Sequence, residues 1–221
     1  MKERLDRQTI ALRVAKEFED GAVVNLGGGI PVLAANFVSE GRAVTFHAEN
    51  GALGFGGTPA TPEEENPFFL GANGLPFSAL PGMCFFHHAD SFAMIRGGHI
   101  DITVLGALQV SEKGDLANWT FPERGIGNIG GAMDLAAGCS RVIVAMEHTT
   151  PKGQLKILKE CSYPLTAARS VSLIVTDIAV IEVAPEGLVL KETAPGWTAE
   201  DVQACTEPKL RLSPDLKEME L

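Results

Sequence analysis

Residues 22–31 read Ala22-Val23-Val24-Asn25-Leu26-Gly27-Gly28-Gly29-Ile30-Pro31. The first five residues are apolar except for Asn25, the pattern of a buried β-strand. Three glycines then turn the chain. Pro31 takes a place favoured at the start of a helix, which is expected to run to about Glu40 and stop at Gly41. Working outward, Asp6 is placed to cap an earlier helix over residues 7–19, with Ile10, Leu12, Val14, Ala15 and Phe18 near helical spacing and Gly21 at its end. On the other side, Val44-Thr45-Phe46-His47 reads as a second strand. The resulting α-β-α-β alternation predicts an α/β fold with a mostly parallel central sheet and flanking helices.

The second strand runs straight into Ala48-Glu49-Asn50-Gly51, and four glycines follow Glu49 within eight residues. Glycine lets the backbone or a ligand approach a neighbouring group closely. A single carboxylate at a strand end, hemmed by glycine, suits a nucleophile or a base facing a substrate. Asn50-Gly51 is equally the signature of a tight hairpin turn, in which Glu49 is an exposed flank. The stretch by itself leaves both readings open.

The chain has 221 residues, 45% hydrophobic and 21% charged, enough for a sizeable core in one domain over residues 1–221. A net charge of −10 argues against a nucleic-acid partner, while helix N-termini can still hold an anionic small ligand. Cys84, Cys139, Cys161 and Cys205 form no C-x-x-C and read as reduced, mostly packed thiols of a cytoplasmic protein. No apolar run approaches the roughly 18 residues of a membrane helix, and the charged N-terminus has no apolar signal segment.

Residues 58–82 are rich in Pro, Gly and acid, and read as a long irregular loop anchored by Phe68, Phe69, Leu70, Phe77 and Leu80 and used to cover a site. A short helix is expected over residues 90–96. Residues 101–110 read as the clearest strand of the chain. Residues 141–146 form a near-continuous apolar strand, buried on both faces. Strands over residues 172–177 and 180–184 follow, and Pro185-Glu186-Gly187 turns the latter back into a C-terminal hairpin. Thr198 with Asp201 marks the start of a last helix, and the tail from Pro208 is expected to be a surface arm.

Two glycine loops are candidates for chemistry. Free amides at Gly27, Gly28 and Gly29 can stabilise an oxyanion or cradle a phosphate, or serve a plain strand-to-helix turn. Gly125-Ile126-Gly127-Asn128-Ile129-Gly130-Gly131 matches G-x-G-x-x-G, with Glu147 at the end of the next strand. That is the rival signal of a dinucleotide-binding oxidoreductase using NAD, but Thr120-Phe121-Pro122-Glu123-Arg124 before it is not the strand this fingerprint needs. The histidines point to no metal site. His87 and His88 would face opposite ways on a strand, His99 and Asp101 share a face, and His47 is a polar neighbour for Glu49. All five read best as satisfied structural side chains.

Together these segments resemble the β subunit of a family I CoA-transferase, of the 3-oxoacid or acetoacetate type. The resemblance rests on Val24-Asn25-Leu26-Gly27-Gly28-Gly29-Ile30-Pro31, on Glu49-Asn50-Gly51, on residues 90–101, on Gly130-Gly131-Ala132-Met133-Asp134-Leu135 and on residues 142–149, and covers about residues 3–212. The chain departs from the family pattern at Gly28, Ala48, His87, His88 and Ala167. The resemblance implies a fold like those of glucosamine-phosphate deaminases and ribose-phosphate isomerases. It implies Glu49 as nucleophile, Asn50 and Gly51 as shapers of its turn, and the loops at Gly27, Gly28, Gly29 and at Gly130, Gly131 as oxyanion donors, the second favoured. It also implies coenzyme A as substrate, with no permanently bound cofactor and no metal, and an α subunit as partner in an α2β2 assembly. A subunit that keeps the fold but only scaffolds is the remaining alternative.

Overall fold

A computed structural model describes residues 2–125 and 127–221. The elements follow as α1 (Arg7–Ala15), β1 (Val23–Leu26), α2 (Ile30–Leu33), β2 (Thr45–Ala48), β3 (Ala52–Phe55), β4 (Cys84–Phe85), α3 (His88–Arg96), β5 (Ile102–Leu105), β6 (Gln109–Ser111), β7 (Leu116–Ala117), α4 (Ala132–Gly138), β8 (Arg141–Met146), β9 (Ile157–Leu158), β10 (Val171–Thr176), β11 (Ala179–Ala184), β12 (Gly187–Thr193), α5 (Ala199–Ala204) and β13 (Arg211–Glu218).

Ten strands form one sheet in the order β13-β12-β11-β10-β8-β5-β1-β2-β3-β4. The central five, from β10 to β2, are parallel. Antiparallel strands extend both sides, β3 and β4 beyond β2, β11 and β12 beyond β10. Successive side chains of a strand face opposite ways, so the sheet supports two cores. Ile143 and Ala145 of β8 join Ile10 and Val14 of α1, and Phe18 just beyond it, on one face. Val142, Val144 and Met146 join Ile95 of α3, Leu135 of α4 and Val202 of α5 on the other. The strand over residues 141–146 therefore carries apolar residues at nearly every position because both of its faces are covered.

The helix starts follow the sequence signals, whereas α1 stops at Ala15 rather than running to residue 19. Asp6 accepts from the Thr9 amide at 2.7 Å, and Thr198 and Asp201 close a full capping box. The β11–β12 hairpin turns at the expected place, with Ala184 paired to Gly187.

Four expectations are corrected or refined. The helix begun at Ile30 lasts one turn and continues as a 3-10 turn over Ala34–Phe37, where Asn36 spends its side chain on the Thr58 amide at 2.8 Å. Residues 101–110 are not one strand: the chain leaves the large sheet at Gly106, and β6 joins a separate β7-β6-β9 sheet. The surface arm expected from Pro208 takes the form of a paired strand: β13 runs along the edge of the sheet, mostly exposed, and Met219 beyond it is buried. In the loop over residues 58–82, Phe77 and Phe69 are the anchors, stacked at 6.1 Å, whereas Phe68 is 86% exposed and Leu70 and Leu80 also face outward.

Candidate active site

Three parallel strands end side by side, and their carboxyl ends carry the candidate residues. β1 leads into residues 27–29, β5 into Gly106, and β2 into Glu49. Open α/β sheets bind ligands in this position, just past the strand ends. The tight turn and the buried acid, posed as alternatives, coexist. β2 and β3 pair through Ala48 and Ala52, so Glu49-Asn50-Gly51 is a three-residue hairpin loop. Gly51 has φ +113°, and a Cβ there would stand 2.1 Å from the Phe86 carbonyl oxygen. Asn50 donates to the Leu70 carbonyl at 2.8 Å and so ties the turn to the long loop.

Glu49 is half-buried and lies where two clefts meet. One, of about 380 Å³, is lined by Gly27, Gly28, Gly106, Asn118, Gly130 and Gly131. The other, of about 700 Å³, shares Gly130 and Gly131 and adds Ala72, His88, Phe92 and Arg96. Gly131 packs against the acid itself: a Cβ there would sit 3.3 Å from Glu49 Cγ and 3.2 Å from Phe92 Cζ. The second glycine loop is thus adjacent to Glu49. Ala72, at the tip of the long loop, lines the larger cleft, and Asn73 approaches Gly28, whose added Cβ would meet it at 3.3 Å.

The amides of the first loop are unequal. Gly27 already donates to the Val104 carbonyl at 2.9 Å, which removes it as an oxyanion donor. The amides of Gly28, Gly29, Gly130 and Gly131 have no acceptor among the described residues. The loop over residues 125–131 follows a 3-10 turn, Pro122–Arg124, rather than a strand, so the dinucleotide fingerprint lacks its structural context; Ile126 lies outside the described residues.

Beneath Glu49 lies a polar group of which the sequence had singled out only His47, as a polar neighbour of the acid. Thr103, Asn25 and His47 stand in one register row across β5, β1 and β2, all fully or almost fully buried. Asn25 Nδ2 donates to Glu49 Oε2 at 3.3 Å, to the His47 carbonyl at 3.1 Å, and approaches His47 Nδ1 at 3.1 Å. The other ring nitrogen, His47 Nε2, is 2.9 Å from Ser91 Oγ of α3. Burial pushes the His47 pKa down to about 4, so the ring is neutral near pH 7. The available signal was a lone amide inside an apolar strand, immediately before a glycine loop.

The remaining histidines are structural or peripheral. His148 is buried between Thr176 and Thr206, both at 2.9 Å. His87 and His88 are not on a strand: His87 caps α3 by accepting from the Ala89 amide at 3.1 Å, and His88 opens the helix with its ring 4.6 Å from Phe92. No three His, Cys, Asp or Glu side chains gather as a metal site among the described residues, and no described helix is long and apolar enough to cross a membrane. All four cysteines are free, with Cys84 exposed.

The coenzyme A transferase family model matches residues 7–204. The chain is 53% identical over 190 residues to one subunit of the 3-oxoadipate CoA-transferase of Pseudomonas putida, covering 86% of this chain and 88% of that one. It is 46% identical over 210 residues to the β subunit of the acetate CoA-transferase of Escherichia coli, covering 95% of each. Among solved structures, an acyl-CoA transferase apoenzyme of Escherichia coli superposes with a TM-score of 0.74 at 22% identity, over 99% of this chain and 45% of that one. The chain belongs to the coenzyme A transferase family, as a β-type subunit of its family I enzymes. Its role is that of a transferase, on the α/β scaffold with a large central sheet that its structural neighbours share.

Proposed function

We propose that this chain is the nucleophile-bearing half of an enzyme that moves CoA between an acyl-CoA and a carboxylic or 3-oxo acid. The observation that carries this reading is Glu49 itself, half-buried at the junction of two clefts, held by Asn25 and packed against Gly131. Succinyl-CoA or acetyl-CoA as donor, and acetoacetate or another short 3-oxo acid as acceptor, fit this class. Relatives at comparable identity are named for 3-oxoadipate and for acetate, so the family alone does not select the acid.

The chemistry follows from what a carboxylate can do without water. A Glu49 oxygen attacks the acyl-CoA carbonyl carbon; the carbon–sulfur bond breaks and CoA leaves as thiolate. The thiolate then attacks the Glu49 carbonyl of the mixed anhydride. This releases the first acid and leaves a glutamyl-CoA thioester. A second acid reverses the sequence, which makes the scheme ping-pong. Each tetrahedral intermediate places a negative oxygen near the strand ends. The unengaged amides of Gly130 and Gly131, then Gly28 and Gly29, are the donors in this reading. Asn50 and Gly51 hold the turn, and the long loop helps keep water from the anhydride. Coenzyme A is a substrate, and no resident cofactor or metal has a step to perform.

Both relatives are named as single subunits of their enzymes, and the solved acyl-CoA transferase is about twice this length. A separate α subunit would complete the site, in an α2β2 assembly, and the free thiols suit a cytoplasmic setting. Steady-state kinetics on the αβ complex test the scheme. Double-reciprocal plots at several acceptor concentrations should be parallel, and Glu49→Gln should lower kcat at least ~1,000-fold. Intersecting plots would overturn the ping-pong scheme, and full activity in Glu49→Ala would leave the chain a scaffold.

A further inference from the structure

Asn25 can hold Glu49 only in one of its two amide orientations. With Nδ2 toward the acid it donates; flipped, its oxygen would face a carboxylate and repel it. The His47 backbone carbonyl, which accepts from Nδ2 at 3.1 Å, favours the donating orientation, while Thr103 Oγ1 reaches Asn25 Oδ1 only at 3.5 Å. The side-chain contact on the same nitrogen is with the His47 ring, whose Nδ1 lies 3.1 Å from Asn25 Nδ2 while Nε2 lies 2.9 Å from Ser91 Oγ. A neutral imidazole has one donor and one acceptor nitrogen. An Nδ1 that accepts from Asn25 makes Nε2 the donor to Ser91.

We infer that His47 is the positioning residue of this site: anchored on Ser91, its ring acts with the residue's own backbone carbonyl to hold the Asn25 carboxamide with the NH2 toward Glu49. One hydrogen of Asn25 Nδ2 is then shared between the ring nitrogen and the carbonyl of His47 and the other serves Glu49, and α3 is coupled to the nucleophile through three side chains. The ring touches no substrate and acts only through Asn25. Its buried place, with 1% of its surface exposed, shields this alignment from water. The inference deepens the proposed function and rests on Glu49 being the nucleophile.

The test uses the complex with its companion subunit and a double-mutant cycle. His47→Leu keeps an apolar, buried side chain and removes both ring contacts. It should lower kcat roughly 10- to 100-fold with KM for acyl-CoA changed less than about 3-fold, as expected for a misaligned nucleophile. His47→Gln, which can accept from Asn25 and donate to Ser91, should recover most of the loss. In an Asn25→Ala background, His47→Leu should cost nothing further, because its only route to Glu49 is gone. Ser91→Ala serves as a second probe where His47→Leu does not fold; it should lower kcat in the same sense and be equally silent in Asn25→Ala. Full activity in both His47→Leu and Ser91→Ala, no rescue by Gln, or losses that multiply with Asn25→Ala overturn the inference. Acyl-CoA-dependent labelling of Glu49 in the wild-type complex separates these results from a failure of the nucleophile assignment.

Discussion

Glu49 stands on a turn with no room for a side chain two residues later. A methyl group at position 51 would have to displace the Phe86 carbonyl, and φ +113° is a conformation that L-residues avoid. Gly51→Ala should therefore destabilise the fold by about 3 kcal/mol or more, read as a drop in the chemical-denaturation midpoint. Gly131→Ala presses on Glu49 and Phe92 at 3.2–3.3 Å, contacts that can give by small shifts. Its effect should fall on kcat, with the melting temperature nearly unchanged. A third residue-scale outcome concerns acid. His148 is buried and neutral, its pKa pushed down to about 4 by loss of solvent. The unfolded chain takes up that proton near the ordinary value of 6.5, so stability is full above pH 6.5 and falls as pH approaches 4. The loss should reach roughly 3 kcal/mol for this ring, and His148→Gln should flatten the melting-temperature profile across that window. Of the site, the place of Glu49 at a strand end beside a glycine turn was legible, but its role was only implied by the family resemblance, because Asn50-Gly51 equally signals a plain hairpin turn. Asn25 was not singled out because its meaning lies in the residues beside it on β2 and β5, and cross-strand neighbours cannot be read along one strand.

At the scale of elements, α1 is fixed to the far side of the sheet by a buried ion pair. Arg13 Nε and Nη2 meet Glu192 of β12 at 2.7 and 3.0 Å, and Nη1 meets Glu17 at 2.7 Å; Glu17 in turn pairs with Arg141 of β8. Removing one partner leaves a buried charge unmatched, whereas removing both need not. Arg13→Met alone should cost about 3–5 kcal/mol in denaturation experiments, and Arg13→Met with Glu192→Leu should recover most of it. The strands β1, β2, β8, β10 and β11 followed from apolar runs, and helix starts from Asp6 and Thr198, while β3, β4, β7, β9 and β13 were not expected. The break at Gly106 did not follow either, since residues 101–105 and 107–110 both read as strand, with aliphatic residues at most positions. Their assignment to different sheets depends on β9, some fifty residues further along the chain.

Across the whole molecule, the two edges of the ten-stranded sheet differ. β4 is two residues long and exposes Phe85, while β13 is eight residues long and mixes charges with Pro214. Such features discourage strand-to-strand pairing. Deleting residues 209–221 uncovers β12 and should produce aggregation detectable by light scattering at concentrations where the full chain is dispersed. The α/β class and the C-terminal hairpin were legible from alternation and from one Pro-Glu-Gly turn. The edge role of the tail was hidden because an exposed strand alternates too weakly to stand out. The central claim, that Glu49 becomes covalently linked to CoA, is tested most directly by trapping. The αβ complex is incubated with acyl-CoA, treated with hydroxylamine, and digested for peptide mass spectrometry. The account predicts a hydroxamate on Glu49 that requires acyl-CoA and is absent from Glu49→Gln. Turnover with the Glu49 peptide unmodified would contradict it.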